Sequence, residues 1–300
     1  MKHETPPGHP ERVARLEAIL KALEAPEFAG LLRLEAPLAK DEDLLLAHPA
    51  AYVERVKAAA PAEGYVQLDP DTWMSPGSLT AALRAAGAQV KAVDLVLSGE
   101  ARNAFIACRP PGHHTETARP MGFCIFGNVV IAARHALERH GLSRVAIVDF
   151  DVHHGNGTQD LVWNDRRIFF ASTHQMPLYP GSGAVDERGA FGQIVNAPLP
   201  VNSGGALLRQ KLEALVFPAL EDFRPELVLI SAGFDAHARD PLANLNWLEA
   251  DYAWVTGALC DIAERHCGGR VVSTLEGGYD LQGLAGSVAA HVAVMMERSR

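Results

Sequence analysis

Short apolar runs rich in Val, Ile and Phe alternate along this chain with longer stretches whose apolar residues recur at helical spacing. A run of five to eight apolar residues suits a strand buried on both faces, and a period near 3.6 suits an amphipathic helix. The pattern predicts strands over 103–108, 144–150, 167–172, 226–231 and 270–275, and helices over 11–23, 78–97, 129–140, 206–223, 249–265 and 284–296. Strands alternating with crossover helices imply an open, mostly parallel α/β sheet with helices on both faces. No repeat or linker interrupts the pattern, so residues 1–300 are expected to form a single domain.

Polar residues fall in a telling place. Four of the predicted strands run straight into polar clusters, IACRPPGHH, AIVDFDVHHGNGT, VLISAGFDAHARDP and VVSTLEGGYD. In an open parallel sheet ligands bind beyond the carboxyl ends of the strands, so these clusters should converge on one site.

In the second cluster Asp149, Asp151 and His153 are spaced by two. An extended backbone would turn all three to the same face. Asp and His at adjacent positions suit a divalent cation such as zinc, and Asp235, ending the next strongly apolar strand, is the candidate third ligand; three protein donors would leave a fourth position open. Against this stands the plainer reading of a helix cap, which a lone DxH would favour. A second Asp-His cluster at Asp235 and His237 and a histidine pair at His113 and His114 reverse that balance.

The pair follows Pro110, Pro111 and Gly112, which fix a turn. Neutral imidazole can take a proton from water and imidazolium can return one to a leaving amine. Asp149 and Asn156 are candidate orienting partners, the carboxylate raising basicity more than the amide. Tyr279 follows a Gly-Gly turn and could donate to the oxyanion formed when water attacks an amide carbonyl.

Composition narrows the partners. A net charge of −9 argues against a nucleic-acid or anionic-membrane surface and suits a cationic substrate. Four scattered cysteines make neither a disulfide framework nor a CxxC metal site, which points to a reducing cytoplasm. No segment is apolar for long enough to span a membrane, and the N-terminus lacks the apolar core of a signal peptide.

Together these residues resemble the histone deacetylase superfamily. RPPGHH, MGFC, DFDVHHGNGT, YPGSG, GFDAHARDP and LEGGYD stand in that family's order and spacing over 109–280, and HPERVARL resembles its opening helix. The resemblance implies an arginase-like α/β fold and a zinc-dependent deacetylase, a hydrolase of linear amide C–N bonds. One zinc per chain would be held by Asp151, His153 and Asp235. It further implies that His114 shuttles the proton, that His113 pairs with Asp149, and that Tyr279 stabilises the oxyanion. Gly122, Phe123, Tyr179 and Leu242 would line a narrow tunnel. A structural potassium ion would be bound by Asp149, the main chain of Asp151 and His153, and Ser172.

Asn156 stands where one large branch of the family has Asp, which places the chain nearer the class II branch. Gly127 takes the place of a usual Asn, with Asn128 directly after it. The chain opens almost at HPERV, so the family's first strand is expected to be missing. The substrate is then an acyl-lysine protein or peptide, or an acetylated polyamine. Glu116 could pair with a polyamine's second ammonium or be a solvated loop charge, and the short loop 114–121 favours acyl-lysine. A binuclear manganese ureohydrolase would need carboxylates where Gly155 and His237 stand. An inactive acyl-binding module would be expected to have lost a ligand, the histidine pair or the tyrosine, and none is lost.

Overall fold

The protein, described over residues 2–299 in this computed structural model, is built on a parallel sheet with helices packed against both faces. Its elements follow in the order α1 (Ala14–Ala22), α2 (Asp41–Leu44), α3 (Ala50–Ala58), β1 (Val66–Asp69), β2 (Thr72–Met74), α4 (Ser78–Ser98), β3 (Asn103–Ile106), α5 (Asn128–His140), β4 (Val145–Asp149) and α6 (Asn156–Val162). Then come β5 (Ile168–Gln175), β6 (Ile194–Leu199), α7 (Gly205–Lys211), α8 (Phe217–Phe223), β7 (Leu227–Ala232), α9 (Glu249–Cys267), β8 (Val271–Leu275) and α10 (Leu281–Arg298). The six-stranded sheet runs β3-β8-β7-β4-β5-β6, every pairing parallel, while β1 and β2 form a separate antiparallel hairpin.

The central strands are buried along their whole length because both faces are covered. Ala146 and Val148 of β4 join Val228 and Ile230 of β7 in one core, packed under α1 and α7–α10. Their neighbours Val145, Ile147, Leu227 and Leu229 point the other way, into a second core under α3–α6. This alternation explains why the strands read as unbroken apolar runs.

All five predicted strands are present, β5 running three residues further than expected. An edge strand, β6, was not expected; Pro198 lies in it, and an edge position tolerates a residue that cannot donate to a ladder. The helix predicted over 206–223 is interrupted by a π-helical stretch, Leu212–Val216, between α7 and α8. Pro218 accounts for the break, since it has no N–H for the carbonyl one turn back. Among the described residues no helix is long and apolar enough to cross a membrane.

Candidate metal and acid/base site

The order β3-β8-β7-β4 brings the four polar strand ends side by side. One local expectation needs correction. Strand β4 stops at Asp149, so Asp151 and His153 do not share a face with it by strand alternation. Each turn of this loop is instead held by the preceding carboxylate: the Asp151 N–H donates to Asp149 Oδ1 at 3.0 Å and the His153 N–H to Asp151 Oδ1 at 2.9 Å. Short carboxylates that bond the backbone two residues on stabilise turns rather than ladders.

The loop sets His153 Nδ1 at 3.2 Å from Asp151 Oδ1 and 3.2 Å from Asp235 Oδ2. One donor atom from each of the three residues lies within 4.8 Å of the others, and all are buried. The pocket is walled by glycines for want of space: a Cβ at Gly277 would come within 2.0 Å of Asp235 Oδ2, and one at Gly233 within 2.0 Å of Asp151 Oδ2. Burial disfavours a charged imidazole, yet the Asp151 and Asp235 carboxylates outweigh it and raise the His153 pKa to about 10. Two buried carboxylates converging on one imidazole therefore favour added positive charge. The borderline donor set and its buried, carboxylate-rich setting fit a divalent ion of zinc's type.

The neighbouring histidines are driven to opposite states. His113 Nδ1 donates to Asp149 Oδ2 at 3.0 Å, and its backbone N–H is held by Glu276 Oε2 at 3.1 Å. Burial alone would lower its pKa, but the carboxylates of Asp151 and Asp149 hold it well above the ordinary histidine value. His114, its ring centroid 4.0 Å away, meets the neutral amide of Asn156, Nδ1 to Oδ1 at 2.7 Å. There burial is reinforced by the charges of His113 and His153, and the pKa falls well below the ordinary value. A charged ring beside a neutral one is an arrangement that can stabilise and accept charge in the same step.

Tyr279 is buried, which pushes its phenol well above the usual pKa and keeps it a donor. Its backbone N–H donates to Asp240 Oδ2 at 2.7 Å. Arg15 of α1 reaches across to this loop, donating to the carbonyls of Glu276 and Gly278 at 2.6 Å each, with its guanidinium carbon 4.9 Å from the Tyr279 ring centroid.

Of the expected tunnel residues, Phe123 packs edge-on against Tyr279 at 5.9 Å, and the half-exposed Tyr179 stands 5.2 Å from the His114 ring. Gly122 adopts φ +57°, and a Cβ there would meet His114 Cδ2 at 2.2 Å. Its N–H is tied to Asp71 at 3.0 Å and that of Phe123 to Thr72 at 3.0 Å. Leu242 is half-buried in the loop after Asp235, its N–H bonded to Asp240. Ser172 is buried on β5 and registers with Asp149 of β4, its hydroxyl bonded to His174. Glu116 is half-buried, and its Oε1 accepts from Asn156 Nδ2 at 2.9 Å, a partner that neither of its two readings foresaw. Gly155 leaves no room for a ureohydrolase-type carboxylate, since its Cβ would lie 2.3 Å from Asp149 Oδ2.

Arg15, Asp71, Glu276 and Asp240 were not among the expected site residues. Glu276 and Asp240 lie within four sequence positions of expected residues and could have been suspected from that; Arg15 and Asp71 come from distant segments that only folding brings near. A further group, Asp94 with His135 and His140, joins α4 to α5; Asp94 Oδ1 accepts from both Nε2 atoms at 2.7 Å, which accounts for it as a hydrogen-bonded staple.

A parallel α/β sheet with a buried Asp2His pocket and a histidine pair at its strand ends defines the arginase/deacetylase-like class of fold. Within that class the chain belongs to the histone deacetylase family: the histone deacetylase domain model matches residues 9–295. It is 42% identical to histone deacetylase 14, chloroplastic, of Arabidopsis thaliana over 94% of this chain and 71% of that protein. It is likewise 42% identical to the histone deacetylase-like amidohydrolase of Pseudomonas aeruginosa, over 91% of this chain and 73% of that one. The crystal structure of the HDA15 HD domain superposes with a TM-score of 0.91 at 34% identity, covering 97% of this chain and 85% of the other.

Proposed function

We propose that the chain, as one catalytic domain over residues 1–300, is a zinc-dependent amidohydrolase that removes acetyl or another acyl group from the amine of a lysine side chain. The observation that carries this reading is the histidine pair at the edge of the Asp151, His153 and Asp235 cluster, its ring centroids 4.0 Å apart, with His113 on the Asp149 carboxylate and His114 on the Asn156 amide. Zinc held by those three residues would supply Lewis acidity, polarising the acyl carbonyl and acidifying water. Family membership and the donor set both support zinc.

The chain's own groups complete the reaction. His114 accepts the proton of the attacking water at its unprotonated nitrogen. His113, kept charged by Asp149, balances the negative charge that develops nearby. The Tyr279 phenol donates to the oxyanion of the tetrahedral intermediate. His114 then returns the proton to the amine nitrogen as its C–N bond breaks, releasing carboxylate and free amine. Gly122, Phe123, Tyr179 and Leu242 form the tunnel for the methylene chain. Asp149, the main chain of Asp151 and His153, and Ser172 would hold a structural potassium ion, a role that the β4–β5 register of Asp149 and Ser172 favours.

Acyl-lysine is preferred over acetylpolyamine on the ground of the short loop 114–121. The test compares kcat/KM on an acetyl-lysine peptide with that on acetylputrescine and acetylspermidine, with chelated and zinc-restored controls. Chelator-sensitive turnover of the peptide is expected. A preference for the polyamines would move the substrate assignment, and no turnover of any of them by zinc-loaded protein would sink the hydrolase reading.

A further inference from the structure

Glu116 belongs to a tight turn. Its N–H donates to the Arg119 carbonyl at 3.0 Å, while the Thr117 N–H and hydroxyl both donate to Asp160, at 2.8 and 2.6 Å. The turn fixes where the Glu116 carboxylate sits, and its Oε1 receives Asn156 Nδ2 at 2.9 Å. The same amide nitrogen faces Met121 Sδ at 3.4 Å and the His114 carbonyl at 3.5 Å.

A side-chain amide has ends of nearly equal size but opposite hydrogen-bonding character, so its partners decide which way round it lies. All three groups at the nitrogen end can only accept. Turning the amide over would set its oxygen against a carboxylate. The oxygen is therefore held toward His114 Nδ1, 2.7 Å away, and an amide oxygen can bind that ring only if Nδ1 carries the hydrogen. A neutral imidazole has one ring proton, so Nε2 keeps its lone pair.

We propose that Glu116 is a positioning residue: through Asn156 it locks His114 in the Nδ1–H tautomer, leaving Nε2 as the base. The inference rests on the reading of His114 as the proton acceptor. It also explains the residue at 156. An Asp there would face the Glu116 carboxylate across about the present hydrogen-bond distance, and like charges that close cannot both stay ionised. Glu at 116 and Asp at 156 would therefore have to share a proton, which unsettles the hydrogen bond to His114, whereas Gln at 116 could serve either partner.

The test uses the zinc-loaded protein with 15N-labelled histidine. Two-bond 1H–15N correlation assigns the His114 tautomer directly, and steady-state kinetics on the acetyl-lysine peptide follow the consequence. Wild type should show Nδ1–H. Glu116→Ala should give a mixture of tautomers and lower kcat about tenfold or more with KM and zinc content little changed, while Glu116→Gln should retain most of kcat. Asn156→Asp should be impaired, and Asn156→Asp with Glu116→Gln should recover about tenfold over Asn156→Asp alone. The proposal is overturned by an Nε2–H signal in wild type, by an unchanged tautomer in Glu116→Ala whatever its kcat, or by failure of the double variant to recover. If Glu116→Ala does not fold, the wild-type spectrum and the double variant decide. Should wild type turn over no peptide, the functional reading fails, while the spectra still decide whether Glu116 sets the tautomer.

Discussion

His113 and His114 share a peptide bond and almost the same burial, yet the carboxylates of Asp151 and Asp149 raise the pKa of the first, while burial and the charges of His113 and His153 lower that of the second. Removing the His114 ring should remove the proposed base without disturbing the three proposed metal ligands. His114→Ala is expected to lower kcat/KM by roughly 10²–10⁴-fold, and Tyr279→Phe by about 10²–10³-fold, each with metal content unchanged by elemental analysis. Near-full activity in either variant would cancel the role assigned to that residue. Gly122 gives a subtler test. It holds φ +57° and touches the His114 ring, so Gly122→Ala must either strain the backbone or displace the imidazole. Peptide turnover should fall sharply in a protein whose far-ultraviolet circular dichroism is unchanged.

The elements around the site act as clamps. Helix α1 contributes Arg15, which with Arg109 and His3 surrounds the fully buried Glu11. Burial would raise the Glu11 pKa, but Arg109 and His3 outweigh it and hold the carboxylate well below its usual range. Glu11→Ala would leave two buried guanidinium groups without their counter-charge. Breaking a buried pair in this way costs about 3–5 kcal/mol, so the urea midpoint should drop markedly. Because Arg15 also holds the Glu276 and Gly278 carbonyls, the surviving folded protein should show a lower kcat. An unchanged midpoint would mean the cluster is not a clamp.

Over the whole molecule, buried histidines couple stability to pH. His291 bonds Thr256 and Ser273 hydroxyls between β8, α9 and α10, and burial lowers its pKa to about 3. His48 accepts from the Gly127 N–H and donates to the Thr117 carbonyl, and burial lowers it to about 4. Above pH ~6.5 both are neutral in the folded and unfolded chain and make stability independent of pH. Below that the unfolded chain gains protons the folded one refuses, so stability falls as pH drops, by at most about 1.4 kcal/mol per pH unit for each residue, until the folded values are reached. Between pH 6.5 and 4.5 the wild type, followed by its urea midpoint in chelator, should lose stability relative to His291→Gln as pH falls, because only the wild type carries the His291 contribution. The same pH slope in wild type and variant would contradict this.

The sequence by itself determined the strand-and-helix alternation and the metal-competent residues gathered at its ends. Val145–Asp149 and Leu227–Ala232 are read easily because strands covered on both faces must be apolar throughout. Asp151, His153, Asp235 and the histidine pair are read easily because few structural roles need so many metal-competent groups at one sheet edge. Strand β6 was hidden because an edge strand needs neither unbroken apolarity nor freedom from proline. The loop geometry of Asp151 and His153 was misjudged because a short carboxylate can replace ladder partners with turn bonds, a choice that spacing alone does not reveal. Only the tertiary structure decided which groups face each histidine, that Arg15 reaches the Tyr279 loop from 261 positions or more away, and that Glu116 turns inward. Protonation state and tautomer depend on the charges and hydrogen-bonding groups within a few ångströms, and those neighbours are assembled from segments that are remote along the chain.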